Sequence, residues 1–428
     1  MKKISIITLG CKVNQYESNA IGKELEDNGF LVFHELIENA DAYIINTCAV
    51  TNEAEKKSRG IIAKIKKVSI NKPIYVCGCS SQHNPDKFSS YENIRLIYGT
   101  SAKQNIAKQI INDFETNFSM PLITNSQISQ IYEESYLSKG DRTRIVMKIQ
   151  EGCNNFCSYC LIPYLRGRER SRDFESVKKE IAFHSKTAKE IVFTGINLSH
   201  YGYDLNPKLS LADIAKFMKN YPNIRFRFSS LEQDIITKSF LDILKDTPNF
   251  APHFHLSLQS GCDRTLKSMN RKYLTNDYYE KLILIRECFK DPAITTDIIV
   301  GFPTETEEDF YDTYEFAKKC KFAKIHAFPY SLRSGTLAEK LKNVATNVKE
   351  RATKLGELDK ELQKEYIENQ IGNIFTIITE TETDNSYVGH TENFIKCYVK
   401  SDTKLELNQT YKVKIEKFYK DGAIASIV

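Results

Sequence analysis

Residues 151–172, EGCNNFCSYCLIPYLRGRERSR, hold three cysteines, Cys153, Cys157 and Cys160, in the spacing C-x3-C-x2-C. Four thiolates close a [4Fe–4S] cluster, so three leave one iron open to another ligand. The spacing matches neither common ferredoxin pattern, each of which supplies a fourth cysteine nearby. Zinc is the alternative for close-set cysteines in a cell interior. A zinc site pairs C-x2-C with a second C-x2-C or an H-x3-5-H, and nothing of that form follows Cys160. A disulfide framework fits worse, because 11 cysteines in 428 residues are sparse and odd in number.

TRIVMKIQ (143–150), just before the cysteines, reads as a strand. EIVFTGIN, NIRFRFSSLE, HFHLSLQS, ITTDIIVGFP and KIHAFPYS repeat the pattern, with helical segments such as FESVKKEIAFHS and TEEDFYDTYEFAKKC between them. Six βα units are too few for a closed eight-stranded barrel, so a curved, partial (β/α)6 barrel is expected. Its catalytic groups belong at the C-terminal ends of the strands, where Cys153 lies.

Upstream, KISIITLG, FLVFHE, DAYIINTC, KPIYVCGC and IRLIYGT alternate with helical segments, including one from Thr51, a plausible N-cap. This implies a doubly wound parallel sheet. Cys11, Cys48 and Cys79 each follow a strand, on the edge where open α/β sheets bind ligands. Cys77 remains inside its strand and reads as packing, whereas Gly78 frees the backbone before Cys79. Residues 116–140 are polar and weakly patterned, like a linker. Residues 347–371 form a charged helix with Leu355, Leu358, Leu362 and Tyr366 on one stripe. The tail reads as short strands and turns, fitting a small antiparallel β-barrel of OB-like size. The fold class is therefore α/β. Expected boundaries are 1–115 for the first sheet, 116–140 for the linker, 141–371 for the partial barrel with its connector helix, and 372–428 for the small barrel.

The longest apolar runs are strand-sized, so no membrane-spanning helix is expected. The N-terminus lacks a long apolar core and cleavage site, which with free cysteines points to a reducing cytoplasm. The net charge of +5 permits an anionic partner without requiring one.

Taken together, LGCKVNQYES, INTCAV, CGCSSQ, the C-x3-C-x2-C loop, LSLQSGCDRTLKSMNRKY, TTDIIVGFPTETEEDF and FPYSLRSGTLAEKL resemble the radical S-adenosylmethionine (SAM) methylthiotransferases along essentially the whole chain. LGCKVNQYES, GINLSHYGYDL and FPYSLRSGT resemble the branch acting on N6-threonylcarbamoyladenosine next to the tRNA anticodon. The isopentenyladenosine branch usually starts GCQMN, and the branch acting on a ribosomal-protein aspartate GCPKN. The resemblance implies an N-terminal methylthiotransferase domain, a radical-SAM partial barrel and a C-terminal TRAM domain. It implies two [4Fe–4S] clusters, one on Cys11, Cys48 and Cys79, the other on Cys153, Cys157 and Cys160, where SAM is cleaved to a 5′-deoxyadenosyl radical.

C2 of adenine is an unactivated carbon that no general base deprotonates at useful cost, which is why a radical route is needed. The resemblance implies two SAM per methylthio transfer to position 37, an external flavodoxin- or ferredoxin-like electron donor and a sulfur source. Tyr159 is placed to stack on the SAM adenine, with core packing as the alternative. Thr194 and Gly195 end the second strand like a weak form of the SAM amino-group motif. Gln259 and Asp297 line the pocket or are buried, satisfied polar groups. Arg166, Arg168, Arg170 and Arg172 form either a solvated face or a phosphate contact for the anticodon stem-loop. The tail from residue 371 holds seven Lys and eight Asp or Glu, so any RNA grip there is local or shape-based. Cys262, Cys288, Cys320 and Cys397 fit no ligand spacing. A non-enzymatic alternative is an RNA-binding protein with structural zinc.

Overall fold

The computed structural model describes every residue except 70, 117–122, 126, 136–142, 384–385 and 402. The first sheet contains β1 (Lys3–Thr8), β2 (Leu31–Phe33), β3 (Ala42–Thr47), β4 (Ile74–Gly78), β5 (Ile94–Tyr98) and β6 (Ile123–Asn125). The strands are all parallel, in the order β2-β1-β3-β4-β5-β6. Every residue of β3 and β4 is buried, as expected of central strands covered on both faces. Alternate side chains serve opposite faces. Ile4, Ile6, Ile44 and Leu96 meet Ile21, Leu25, Ile106 and Ile110 from the helices Lys12–Asp27 and Asn105–Glu115. Tyr43, Ile45, Val76 and Ile97 meet Ile62 and Ile65 from the helix Asn52–Val68. Thr51 caps that helix, its hydroxyl accepting from the Ala54 amide at 3.1 Å. From β1 the chain goes first to β2 on one side and then to β3 on the other, so the order reverses between β1 and β3. In such sheets ligands bind at this switch point. β6 lies inside the stretch read as a linker, and most of the remainder of that stretch is outside the described residues.

The central unit runs through β7 (Arg144–Lys148), β8 (Gln150–Glu151), β9 (Arg170–Ser171), β10 (Glu190–Thr194), β11 (Arg225–Phe228), β12 (Ser230–Leu231), β13 (His253–Leu256), β14 (Ala293–Val300) and β15 (Lys324–Pro329). The parallel strands follow the order β7-β10-β11, then β12-β13-β14-β15, with only Ser229 between β11 and β12. A curved six-step parallel wall results, as the alternation implied. β8 and β9 pair antiparallel and pinch off the cysteine loop between them. Helices cover the outer face through a core centred on Phe193, whose ring stacks on Phe226 at 5.8 Å.

The helix Val348–Glu368 buries Leu355, Leu358 and Leu362 and leads into β16 (Ile374–Thr383), β17 (Ser386–Thr391), β18 (Lys396–Lys400), β19 (Thr410–Tyr419) and β20 (Gly422–Ile427). These close a barrel in the order β16-β17-β18-β20-β19. The expectation of an antiparallel barrel needs correction, because β18 and β20 pair parallel. After β18 the chain crosses to β19 before β20 fills the gap, so β20 runs in the direction of β18. Phe394 of this barrel stacks on His253 at 4.6 Å, plugging the end of the central wall where its strands begin. No helix among the described residues is long and apolar enough to cross a membrane.

Phe193 is fully buried among Phe226 and Phe228. Phe193→Ala is expected to cost about 3–5 kcal/mol, read as a lowered urea midpoint. An unchanged midpoint would refute this account of the core.

Candidate functional site

Cys11 follows β1 and Cys48 follows β3, so the switch point brings them to one crevice. Gly10, with φ +99°, backs onto Cys48 so closely that a Cβ there would lie 2.9 Å from its Sγ. Only glycine tolerates both the conformation and the approach. Cys79 leaves β4 past Gly78 (φ +107°), where a Cβ would lie 2.4 Å from the Thr47 carbonyl oxygen. Cys77 stays inside β4, fully buried. Cys79 and Cys11 both act electrostatically on Cys48, whose thiol burial pushes up to about 11.

The chain directly after Cys160 reaches this crevice. Leu161 and Leu165, flanking the start and end of the short helix Ile162–Leu165, pack against Ala49 and Cys79. Thr100 Oγ1 donates to the Leu165 carbonyl at 2.6 Å. Arg166 then turns fully inward, its Nε donating to Cys79 Sγ at 3.4 Å. Its Nη1 pairs with Glu17 of the first sheet unit (3.2 Å) and Glu151 of the central unit (2.9 Å), and its Nη2 donates to Asn14 Oδ1 at 2.6 Å. Lys103 and Lys148 complete the cluster around Glu17 and Glu151. Burial alone pushes Glu17 up, but Arg166, Lys103 and Lys148 outweigh it and hold its carboxyl well below the usual range. Three buried cations thus face two carboxylates beside a cysteine sulfur. Buried charge is normally balanced, so the excess suits an anionic group on the cysteines, as an iron–sulfur cluster on thiolates is.

The second triad sits on the loop between β8 and β9. The amide of Cys160 donates to the Cys157 carbonyl at 3.0 Å, and Arg271 Nη1 donates to Cys157 Sγ at 3.3 Å. Arg271 is in turn paired with Glu232. Burial pushes the Cys153 and Cys160 thiols up to about 12. Such cysteines are poor nucleophiles, and a metal would bind them by displacing protons. No group of three or more His, Cys, Asp or Glu among the described residues has the geometry for a single metal ion. Ligands of a cubane cluster hold its separate iron corners and do not converge on one point. Glu169 fastens the loop, accepting from the Asn154 amide (3.2 Å), Asn197 Nδ2 (2.9 Å) and His200 Nδ1 (2.9 Å).

Of the four arginines expected on a solvated face or at phosphate, three are corrected by the structure. Arg166, Arg170 and Arg172 are buried: Arg166 and Arg172 reach the first sheet unit, Arg172 also pairing with Glu180 and Glu134, while Arg170 Nη1 donates to the Arg168 carbonyl at 2.8 Å within the loop. Arg168 alone is exposed, 4.4 Å over the Phe156 ring. Tyr159 is half-buried against Met269, Phe302 and Ala338. Thr194 is buried, its Oγ1 accepting from Ser229. Gly195 presses on Gln150, whose Oε1 accepts from the Asn197 amide at 2.7 Å while its Nε2 donates to the carbonyls of Glu151 and Gly152. Gln150 thereby ties the end of β10 to the cysteine loop. Gln259 holds a left-handed backbone (φ 69°) between Asp297 and Ile299. Asp297 accepts from His255 at 3.1 Å and lines a cavity of about 620 Å³ inside the central wall.

Glu17, Gln150, Arg271 and Lys12 escaped the sequence reading. For Glu17 one signal existed: Asn14, Glu17 and Ser18 occupy the inner side of an otherwise ordinary amphipathic helix.

Residues 147–317 match the Radical SAM superfamily and residues 3–99 match the Uncharacterized protein family UPF0004. The chain is 36% identical to a "Threonylcarbamoyladenosine tRNA methylthiotransferase MtaB" of Bacillus subtilis, covering 100% of this chain and 97% of the relative. It is 33% identical to a "tRNA-2-methylthio-N(6)-dimethylallyladenosine synthase" of Acetivibrio thermocellus, over 90% of this chain and 82% of the relative. Among solved structures, the radical SAM methyltransferase TsrM of Kitasatospora setae aligns with a TM-score of 0.55 at 12% identity, covering 77% of this chain and 75% of that one. At that identity the likeness speaks for the fold alone.

Arg166→Ala should cost about 3–5 kcal/mol in urea unfolding, because it strands buried carboxylates. A loss below about 1 kcal/mol, the scale of a surface pair, would contradict the joint. Hydrogen bonds from the His200 imidazole to Asp234 and Glu169 raise its pKa to about 10. The raised value means its ionic contribution is complete below pH 6.5 and fades as pH rises through about 10. An NMR titration of the imidazole should show a midpoint near 10; one near 6.5 would remove His200 from the loop's anchorage.

Proposed function

The chain belongs to the radical-SAM tRNA methylthiotransferases, and within that family we propose that it places a methylthio group on C2 of N6-threonylcarbamoyladenosine at position 37 of tRNA. Two incomplete cysteine triads, at the C-terminal ends of strands in separate sheets, support the two-cluster chemistry, and the 36% identity along the whole chain to a threonylcarbamoyladenosine tRNA methylthiotransferase supports the substrate. Cys153, Cys157 and Cys160 would hold the cluster that works with SAM, and Cys11, Cys48 and Cys79 a second. Bound SAM and clusters supply the one-electron and sulfur chemistry that an unactivated carbon requires, at two SAM per product.

The chain's own residues position and insulate. Arg271 donates to Cys157 and Arg166 to Cys79, each placing fixed positive charge beside a sulfur. Leu161, Leu165 and Ala49 keep water from the contact between the two cysteine regions. Gln150 orders the Thr194–Gly195 turn, where SAM's polar end would lie, with Tyr159, Gln259 and Asp297 on the remaining sides. Arg168, exposed beside the loop, and the C-terminal barrel, read as a TRAM-type module, would meet the anticodon stem-loop. A flavodoxin- or ferredoxin-like donor and a sulfur source complete the system.

Anaerobic reconstitution should load about eight irons per chain, and replacing Cys153, Cys157 and Cys160 by alanine should leave about half. Full iron in that triple variant would overturn the ligand assignment. Mass spectrometry of tRNA nucleosides from a deletion strain should show loss of the methylthio form of N6-threonylcarbamoyladenosine. Loss of the isopentenyladenosine derivative instead, or of neither, would reassign the substrate to that nucleoside or to a ribosomal-protein aspartate.

A further inference from the structure

The cavity inside the central wall is lined by Arg227 of β11, His253 and His255 of β13, Asp297 of β14 and, from the first sheet unit, Lys12. The wall carries more positive charge than it neutralises. Arg144, Arg225 and Arg227 converge on the single buried carboxylate of Glu190, with Glu380 shared between Arg144 and His390. Arg227 is almost fully buried, yet its Nη1 has no hydrogen-bond partner, and neither has Nδ1 of His253. Burying a guanidinium N–H unpaired is costly, so Arg227 Nη1 marks a place for an acceptor. Lys12 is exposed to the cavity, and no ion pair is formed by it among the described residues. The charges acting on Lys12 are those of Arg227, Arg144, Asp297 and Cys11, so its ammonium and the Arg227 guanidinium face the same space. Two acidic groups line the cavity among the described residues, and both are engaged: Asp297 by His255 at 3.1 Å, and Asp421 by Lys396 at 2.9 Å and the Tyr398 hydroxyl at 2.6 Å.

We propose that Lys12 and the unpartnered Nη1 of Arg227 form an anion pocket that receives the carboxylate of the threonylcarbamoyl group, selecting it over a neutral N6 substituent. The proposal rests on the substrate reading above. That substituent ends in a carboxylate, whereas an isopentenyl group is uncharged and would leave the buried Arg227 Nη1 and the Lys12 ammonium without a counter-charge. Lys12 is also the residue after Cys11, so the carboxylate would be anchored immediately beside the first triad. Lys12 is on this account a specificity residue, and Arg227, held by Glu190 at 3.2 Å, is its fixed partner.

The test uses the full chain with its clusters reconstituted. Fluorescence anisotropy would compare an anticodon stem-loop carrying N6-threonylcarbamoyladenosine with the same RNA as its threonine methyl ester. The wild type should bind the acid about tenfold or more tighter than the neutral ester, the scale of a charge-assisted hydrogen bond. Lys12→Gln should reduce the ratio to about twofold or less and Lys12→Arg should restore most of it, with iron content and visible absorption matching the wild type. No acid-over-ester preference in the wild type, or a preference kept in Lys12→Gln, would overturn the pocket. A wild type that methylthiolates the acid stem-loop while failing either comparison would remove the pocket alone; no product from that RNA would remove the substrate reading itself.

Discussion

Arg166 fixes the relation between the two halves of the molecule that carry cysteines. A guanidinium stays charged at any pH a protein meets, so once buried it must be surrounded by acceptors on every side it presents. Here those acceptors come from both units: Glu17 and Asn14 from the first helix, Glu151 from the central wall, and the sulfur of Cys79. Slipping one unit against the other would break several charge-assisted bonds at once. The register between the sheets is thereby set to within a hydrogen bond.

A second joint reinforces it. Arg333, on the loop after β15, pairs with Glu55 at 2.9 Å, and Asn52 bonds to Ser331 and Leu332. Both partners belong to the helix that starts just beyond Cys48. The crevice of the first triad is therefore held from two sides by the central unit. At the opposite end Phe394 closes the wall from below, with Arg227 at 4.5 Å and Arg144 at 5.3 Å over its ring. Three units contribute to one interior, which explains how the residue after Cys11 comes to line a cavity in the central wall.

Much of this architecture was legible as pattern. Runs such as YIIN and IYVCG announce strands covered on both faces, and Thr51 announces a helix start, because these depend on nearest neighbours and on a period of two or 3.6 residues. The placement of Cys11, Cys48 and Cys79 after strands followed from the same local signals. The run RGRERSR was misjudged for a physical reason. Its alternating charges look like a solvated face, and nothing local reveals that Glu17, Glu151 and Glu180, which come from three different elements, will neutralise them. The parallel pairing of β18 with β20 was equally invisible, since strand direction in a barrel is set by the order of crossings and not by the strand's own residues.

The amino-acid sequence alone determined where the strands and helices lie, that two sets of three cysteines leave strand ends, and which family the motifs belong to. These are properties of short segments and their spacing. Only the tertiary structure decided which charges are buried and what they face. It turned Arg166 from an apparent surface group into the bridge at Cys79, and brought Lys12 and Arg227, 215 positions apart, to one cavity. Ionic partners far apart along the chain are chosen by the burial that makes an unpaired charge costly, and burial exists only once the units have docked.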